Sequence, residues 1–323
     1  MTLRLGTRGS ALAMAQSGHV ADAVRTATGL DVELVQIVTS GDRSSAPVAG
    51  LGVGVFVSAL RDALSAKEID FAVHSFKDLP TAAADGLSIA AVPFREDPRD
   101  ALIARDGLTL TGLPAGARIG TGAVRRIAAI RSLGLPVEIV PIRGNVDTRL
   151  RKVTDGELDA VILARAGLAR LGRADEITEI LDPELVLPAP AQGALAVECR
   201  TDDADLVAAL SLLDDPHSRA AVIAERALLA ALEAGCSAPV AGLAEVNTTT
   251  MSLIGATELD SGGNAVGESG LEINLRGAVY SPDGRLALRM ARTGTLTDAE
   301  TIGRLLAADL LAAGADNVLG VHQ

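Results

Sequence analysis

LPAPAQGALAVECR, residues 187–200, is the stretch on which the reading of the fold turns. Pro188 and Pro190 argue against a helix, because proline donates no amide hydrogen and its ring clashes with the preceding turn. The apolar run ALAVEC behind them reads as a strand that could return to a sheet begun earlier, so 188–193 reads as a crossover. A second Pro- and charge-rich stretch, PFREDPRD at 93–100, reads as another crossover. Between the two, ALIAR, RIGTG, VEIVPIRGN and DAVILAR are each followed by a turn or a helical stretch. Before them, the strand-like TLRLG, DVELVQIV (31–38) and DFAVHSF alternate with an Ala-rich helix over 11–27 and with VFVSALRDALS. Ser10 is placed to cap the first helix. Such alternation predicts α/β layers with much parallel pairing.

Helices are expected near 203–213 and 217–234, and from about 239 the character changes. MSLIGATEL, LEINLRGAVYS and RLALRMARTG, separated by turns such as SGGN and SPDG, predict an antiparallel meander with helix 298–313 over one face. The expected fold class is thus α/β, in two α/β units, plus a third α+β domain.

Composition narrows the function classes. Hydrophobic residues make up 48% of the 323, enough for packed cores, and aromatic residues only 2%. With no Trp and a single Tyr, Tyr280, stacking platforms for bases or sugars are not expected. The net charge of −12 favours neither nucleic acid nor an anionic membrane as partner. Cys199 and Cys236 offer no disulfide framework, and with His19, His74, His217 and His322 scattered there is no metal-ligand spacing. The N-terminus enters a strand-like run without a signal-peptide pattern, and no apolar run spans a bilayer, so a cytoplasmic protein is expected.

Three Arg-bearing segments sit where helices begin. Thr121-Gly122-Ala123 opens a helix carrying Arg125 and Arg126; Arg143-Gly144-Asn145 opens one carrying Arg149; Thr7-Arg8-Gly9-Ser10 repeats the layout. Helix N-termini carry partial positive charge, so stability alone prefers Asp or Glu there. Exposed amides together with arginines make anion sites instead. Several converging on one cleft suit a ligand with many carboxylates. His74 to Pro80 ends a strand and enters a loop, where α/β proteins place ligands. Asp78 there is either a turn former or a carboxylate facing N–H donors or a developing cation. His74 lies on an apolar strand and reads as a core histidine. Cys236, in LEAGCSAP after a helix, is more accessible in this reading than Cys199 inside ALAVEC, and is the candidate for covalent attachment.

Together, TRGSALA (7–13), VHSFKDLPT (73–81), IGTGAVRR (119–126), RGNVDTRL (143–150), ILARAGLARLG (162–172), PAPAQGALAVECR (188–200) and LEAGCSAP (232–239) resemble hydroxymethylbilane synthase over essentially the whole chain. The resemblance implies two periplasmic-binding-protein-like lobes, 1–93 with 194–215 and 99–188, flanking a cleft, and a C-terminal domain, 216–323, carrying the cofactor cysteine. It implies a monomer that binds porphobilinogen and a dipyrromethane cofactor, four carboxylates in all, thioether-linked to Cys236. Asp78 matches the catalytic carboxylate. Lys77, Ser75, Ser10, Arg125, Arg126 and Thr121 match cofactor contacts. Arg8, Arg143, Arg149, Arg170, Gln192 and Phe56 match the substrate-binding set. The implied reaction joins four porphobilinogen units head to tail, each losing ammonia to give an azafulvene that the terminal pyrrole attacks, and ends in hydrolytic release of hydroxymethylbilane.

Two departures stand out. AGLGVGVF (49–56) keeps the glycines and Phe56 of the family's lid-like loop but lacks its two lysines, and Gly122-Ala123 replaces common serines. The alternative function is a two-lobed, non-catalytic carboxylate-binding or sensor protein, which leaves Cys236 and the third domain unexplained.

Overall fold

The computed structural model describes residues 2–38, 57–233, 238–250 and 269–319, with 248–250 and 269–270 followed in backbone only. The first lobe contains β1 (Thr2–Thr7), α1 (Ala11–Thr28), β2 (Asp31–Gln36), α2 (Ser58–Ser65), β3 (Phe71–Ser75) and β4 (Leu87–Ala91). Ser10 caps α1, its hydroxyl accepting from the Ala13 amide at 3.3 Å, as its position before an Ala-rich run predicts. The second lobe contains β5 (Asp100–Ala104), β6 (Arg118–Gly120), α3 (Val124–Ser132), β7 (Glu138–Val140), α4 (Val146–Thr154), β8 (Ala160–Ala164), α5 (Arg165–Arg170) and β9 (Glu179–Ile180). The chain continues through β10 (Leu195–Arg200), α6 (Ala204–Ser211), α7 (Pro216–Ala231), β11 (Val240–Thr250), β12 (Ser269–Tyr280), β13 (Ala287–Thr295), α8 (Ala299–Ala312) and α9 (Ala315–Leu319).

The two five-stranded sheets share one plan. Their orders are β2-β1-β3-β10-β4 and β7-β6-β8-β5-β9. In each, a central strand pairs in parallel with two neighbours, β1 with β2 and β3, β6 with β7 and β8. The next strand runs antiparallel, β10 beside β3 and β5 beside β8. That antiparallel strand is the one the chain enters directly after a crossover. The strand-like ALAVEC therefore does return to the first sheet, and parallel pairing is confined to one half of each sheet.

The third sheet is the expected antiparallel meander, ordered β11-β12-β13. Its first strand differs from the sequence reading. Val240–Thr250 fills that place, whereas MSLIGATEL and the SGGN turn lie outside the described residues. One face packs on α7 and α8 through Leu228, Ile273, Leu275, Leu306 and Leu310. Ala241, Leu243, Ala278 and Tyr280 instead join the core of the second lobe beside Ala128, Ala129 and Leu187.

The crossovers lie side by side and are stitched together. The Glu96 amide donates to the Gly193 carbonyl at 3.3 Å, and Arg95 Nε donates to the Gln192 carbonyl at 2.8 Å. Arg95 also forms a bidentate pair with fully buried Glu225 of α7, at 2.7 and 2.9 Å, while Glu225 accepts from the Ala191 and Ala244 amides. This one carboxylate thus ties the third unit to both crossovers. Gly193 has a φ of +87°, and a Cβ there would stand 2.3 Å from the Glu96 carbonyl oxygen. Gly193→Ala is therefore expected to cost on the order of 3 kcal/mol, read as a fall in the denaturant midpoint at unchanged m-value.

Candidate functional site

Because β1 and β3 run parallel, their carboxyl ends emerge together, and α/β sheets bind ligands at those ends. Arg8 to Ser10 follow β1; Ser75 and the single 3-10 turn Phe76–Asp78 follow β3. The Gln16 side-chain amide, from the first turns of α1, donates to Ser75 Oγ at 3.2 Å and fixes the two ends against each other. In the second lobe, Thr121 follows β6, Arg143 follows β7, and Arg165 to Arg170 follow β8. Leu12 of α1 approaches Gly167 of α5, so the helix starts of the two lobes meet.

Asp78 is exposed at the tip of its turn. The turn is held from below by α7. Arg226 donates to the carbonyls of Phe76 (3.4 Å), Leu79 (3.0 Å) and Pro80 (2.5 Å), with its guanidinium 4.6 Å above the Phe76 ring. Beside Asp78, the Lys77 ammonium donates to Gln192 Oε1 at 3.2 Å. Burial first, and the Arg126 guanidinium next, push Lys77 down to about 8; Asp78 and Asp100 oppose this.

Arg125 and Arg126 are buried, and their partner is one that sequence reading missed. Asp100, the first residue of β5 and fully buried, accepts from Arg125 Nη2 at 2.7 Å and from Arg126 Nε and Nη2 at 3.1 and 2.8 Å. Arg125 also donates to the Leu187 carbonyl and Arg126 to the Ile162 carbonyl. Although burial opposes it, the two guanidiniums hold the Asp100 carboxyl far below the usual carboxylate range. Gln192 closes the network. Its Nε2 donates to Asp100 Oδ1 (2.8 Å) and the Pro98 carbonyl (2.7 Å), and its Oε1 accepts from Lys77 and from Arg126 at 3.4 Å. The clue in the sequence was physical: two adjacent arginines facing an apolar strand need a buried counter-charge.

Arg143 and Arg149 are half-buried and not neutralised in this way. Arg143 Nη1 is buried with no hydrogen-bond partner among the described residues. Arg149 donates to the Gly144 carbonyl at 2.8 Å, and burial followed by repulsion from Arg126 and Arg143 lowers its pKa. Arg170 donates to the Gly193 carbonyl at 2.5 Å, and burial pushes it down to about 10. Thr121 is buried and its hydroxyl accepts from the Ala123 amide at 3.4 Å. Arg8 is half-buried. His74 is the expected core histidine, its Nε2 3.1 Å from Glu198 Oε2. Phe56, Cys236 and the whole lid-like loop, 49–56, lie outside the described residues.

The structure thus brings Lys77, Gln192, Arg125, Arg126, Arg143 and Arg149 into one electrostatic neighbourhood, with Asp78 and Asp100 as the carboxylates acting on it. A buried guanidinium nitrogen without an acceptor, and cations whose charge is disfavoured by one another, are what an anion relieves. The donor set fits a ligand with several carboxylates.

Comparison with known proteins gives the family. Residues 3–208 match the family described as "Porphobilinogen deaminase, dipyromethane cofactor binding domain", and residues 219–312 match "Porphobilinogen deaminase, C-terminal domain". A porphobilinogen deaminase of Nocardia farcinica is 58% identical over 317 residues, 98% of this chain and 88% of that one. One from Mycobacterium tuberculosis is 54% identical over 317 residues, covering 98% of both chains. Solved structures align more loosely: a periplasmic substrate-binding protein of Coxiella burnetii reaches a TM-score of 0.42 at 14% identity, over 67% of this chain and 94% of that one.

Proposed function

Since this chain belongs to the porphobilinogen deaminase family, we propose that the residues gathered at its strand ends divide the work of hydroxymethylbilane synthesis between charge stabilisation at Asp78 and carboxylate binding by the surrounding cations. The reaction joins four porphobilinogen units with loss of ammonia and releases the linear tetrapyrrole by hydrolysis. Dipyrromethane, when bound, supplies the pyrrole α-carbon from which the chain is built. Cys236 is the proposed thioether anchor. Support comes from the helix that precedes it, since α7 grips the Asp78 loop through Arg226 and runs on towards residue 233.

Asp78 is an exposed carboxylate beside a cluster of cations, placed to accept pyrrole N–H groups and to stabilise the cation left as ammonia departs. Lys77, Ser75, Ser10, Thr121 and Arg126 are the proposed cofactor contacts, with Arg125 behind them. Arg8, Arg143, Arg149, Arg170, Gln192 and Phe56 are assigned to the incoming and growing substrate. The proposed domain division is 1–93 with 194–215, 99–188 and 216–323, in a cytoplasmic monomer.

The observation that carries this assignment is the orphaned Nη1 of Arg143. One charge-assisted hydrogen bond contributes about 1.5–3 kcal/mol, so Arg143→Leu is expected to raise the KM for porphobilinogen about 10- to 100-fold. Arg173→Leu, which removes a guanidinium paired with Glu176 and Asp147 outside the cluster, is expected to change it less than about twofold. Equal effects of the two would remove Arg143 from the substrate site.

A further inference from the structure

We propose that Asp100 is a positioning residue of this reaction, fixing the Arg126 guanidinium directly and the Lys77 ammonium through the Gln192 amide, so that cations from both lobes face the cleft as one set. The inference rests on the reading that Lys77 and Arg126 meet the carboxylate arms of the cofactor.

Geometry carries it. Asp100 is fully buried and accepts hydrogen bonds from both arginines of α3 and from Gln192 Nε2. Its side-chain hydrogen bonds go to Arg125, Arg126 and Gln192, and Lys77 is reached through Gln192. Gln192 makes that link, because one amide has both an acceptor and two donors. Its oxygen takes the Lys77 ammonium at 3.2 Å and its nitrogen the Asp100 carboxylate at 2.8 Å. A planar amide that satisfies both ends fixes the distance between a lysine of the first lobe and an arginine pair of the second.

Place in the chain adds a second argument. Asp100 is the first residue of the strand that follows one crossover, and Gln192 lies on the other, donating also to the Pro98 carbonyl. A change in the angle between the lobes acts on both crossovers at once, so it acts on this node. The cations would then be released or gathered together and not one by one.

Electrostatics gives the measurable consequence. Lys77 faces Asp78 from its own turn, Arg126 and Arg125 from α3, Asp100 from β5, and the neutral Gln192 from the second crossover. Asp100, with Asp78, thus helps to keep the ammonium protonated against burial and the arginines. Without it, Lys77 loses its proton more easily. A carboxylate placed at 192 acts in the opposite sense. A purely structural role for Asp100 would give no such pair of opposite shifts.

The chain has three lysines, at 67, 77 and 152, so ¹³C-dimethyl-lysine NMR of the full chain gives few signals, and Lys77→Arg identifies the one from Lys77. The titration is read in the Cys236→Ser background, with its mass recorded so that attachment at Cys236 is judged separately. Asp100→Asn is expected to lower the Lys77 midpoint by about one pH unit, and Gln192→Glu to raise it by about one. Should Asp100→Asn not fold, Asp100→Ser is read in its place, because the Gln192→Glu shift reports the charge added at 192 and serves only to show that the Lys77 signal responds. A Lys77 midpoint unmoved by the Asp100 substitution that folds overturns the role given to Asp100, whatever the mass shows about Cys236.

Discussion

Asp78→Asn is expected to leave the protein folded and carrying its dipyrromethane while cutting turnover on the order of 10³-fold. The substitution keeps the shape and removes one negative charge. Asp78 is exposed on its turn, so little folding energy depends on its carboxylate. The loop's position depends instead on Arg226, which bonds the carbonyls at 76, 79 and 80 and is untouched by the change. On the proposed assignment, what is lost is the anion that stabilises the carbon made cationic as ammonia leaves. A neutral amide still accepts one hydrogen bond from a pyrrole but supplies no compensating charge. The effect should fall on kcat, with KM near its original value, because the carboxylate-binding arginines remain. Wild-type kcat in the variant would remove Asp78 from the chemistry.

Cys236→Ser is expected to abolish both attachment and turnover. A serine hydroxyl is far less nucleophilic than a thiolate at neutral pH and is not expected to capture an electrophilic pyrrole. The fold should be retained, because the third unit's core is built by α7, α8 and the meander, but stability should fall with the loss of a ligand that only the folded chain binds. The cationic cluster would remain without its counter-ions. Turnover by a folded Cys236→Ser protein at even a tenth of the normal rate would mean that the pyrrole chain grows on some other anchor.

Much of the architecture was legible in the sequence because it rests on local rules. Ser10 and Asn145 cap helices as their positions predict, the latter accepting from the Thr148 amide at 2.9 Å. The Pro-rich breaks at 93–100 and 188–193 separate two α/β runs, and each is followed by a strand of the opposite direction. The strand Val240–Thr250 was missed because VAGLAEVNTTT opens with small residues that carry little strand signal. Its pairing with β12 along the whole strand, from Val240 opposite Val279 to Thr250 opposite Ser269, is a long-range fact that local propensity does not carry.

The candidate site divides in the same way. Residues at strand ends and helix starts could be picked out one by one. Their counter-charges could not, because Asp100 lies 25 residues before Arg125, and Glu225 lies 130 residues after Arg95. Local periodicity carries no record of such distant pairs. The arginine pair at 125 and 126 therefore looked like two open anion ligands, whereas both guanidiniums are held by Asp100 and backbone carbonyls. Arg143, with a buried nitrogen lacking an acceptor among the described residues, is the better-supported carboxylate ligand of the helix-start set.

The proposal that this acidic chain gathers guanidinium and ammonium groups around a sulfur-linked pyrrole pair can be tested by weighing the chain. Intact-mass spectrometry of the purified wild-type chain should give the sequence mass plus one dipyrromethane, with the excess on the peptide containing Cys236. A chain at its bare sequence mass that converts porphobilinogen at full rate would contradict it.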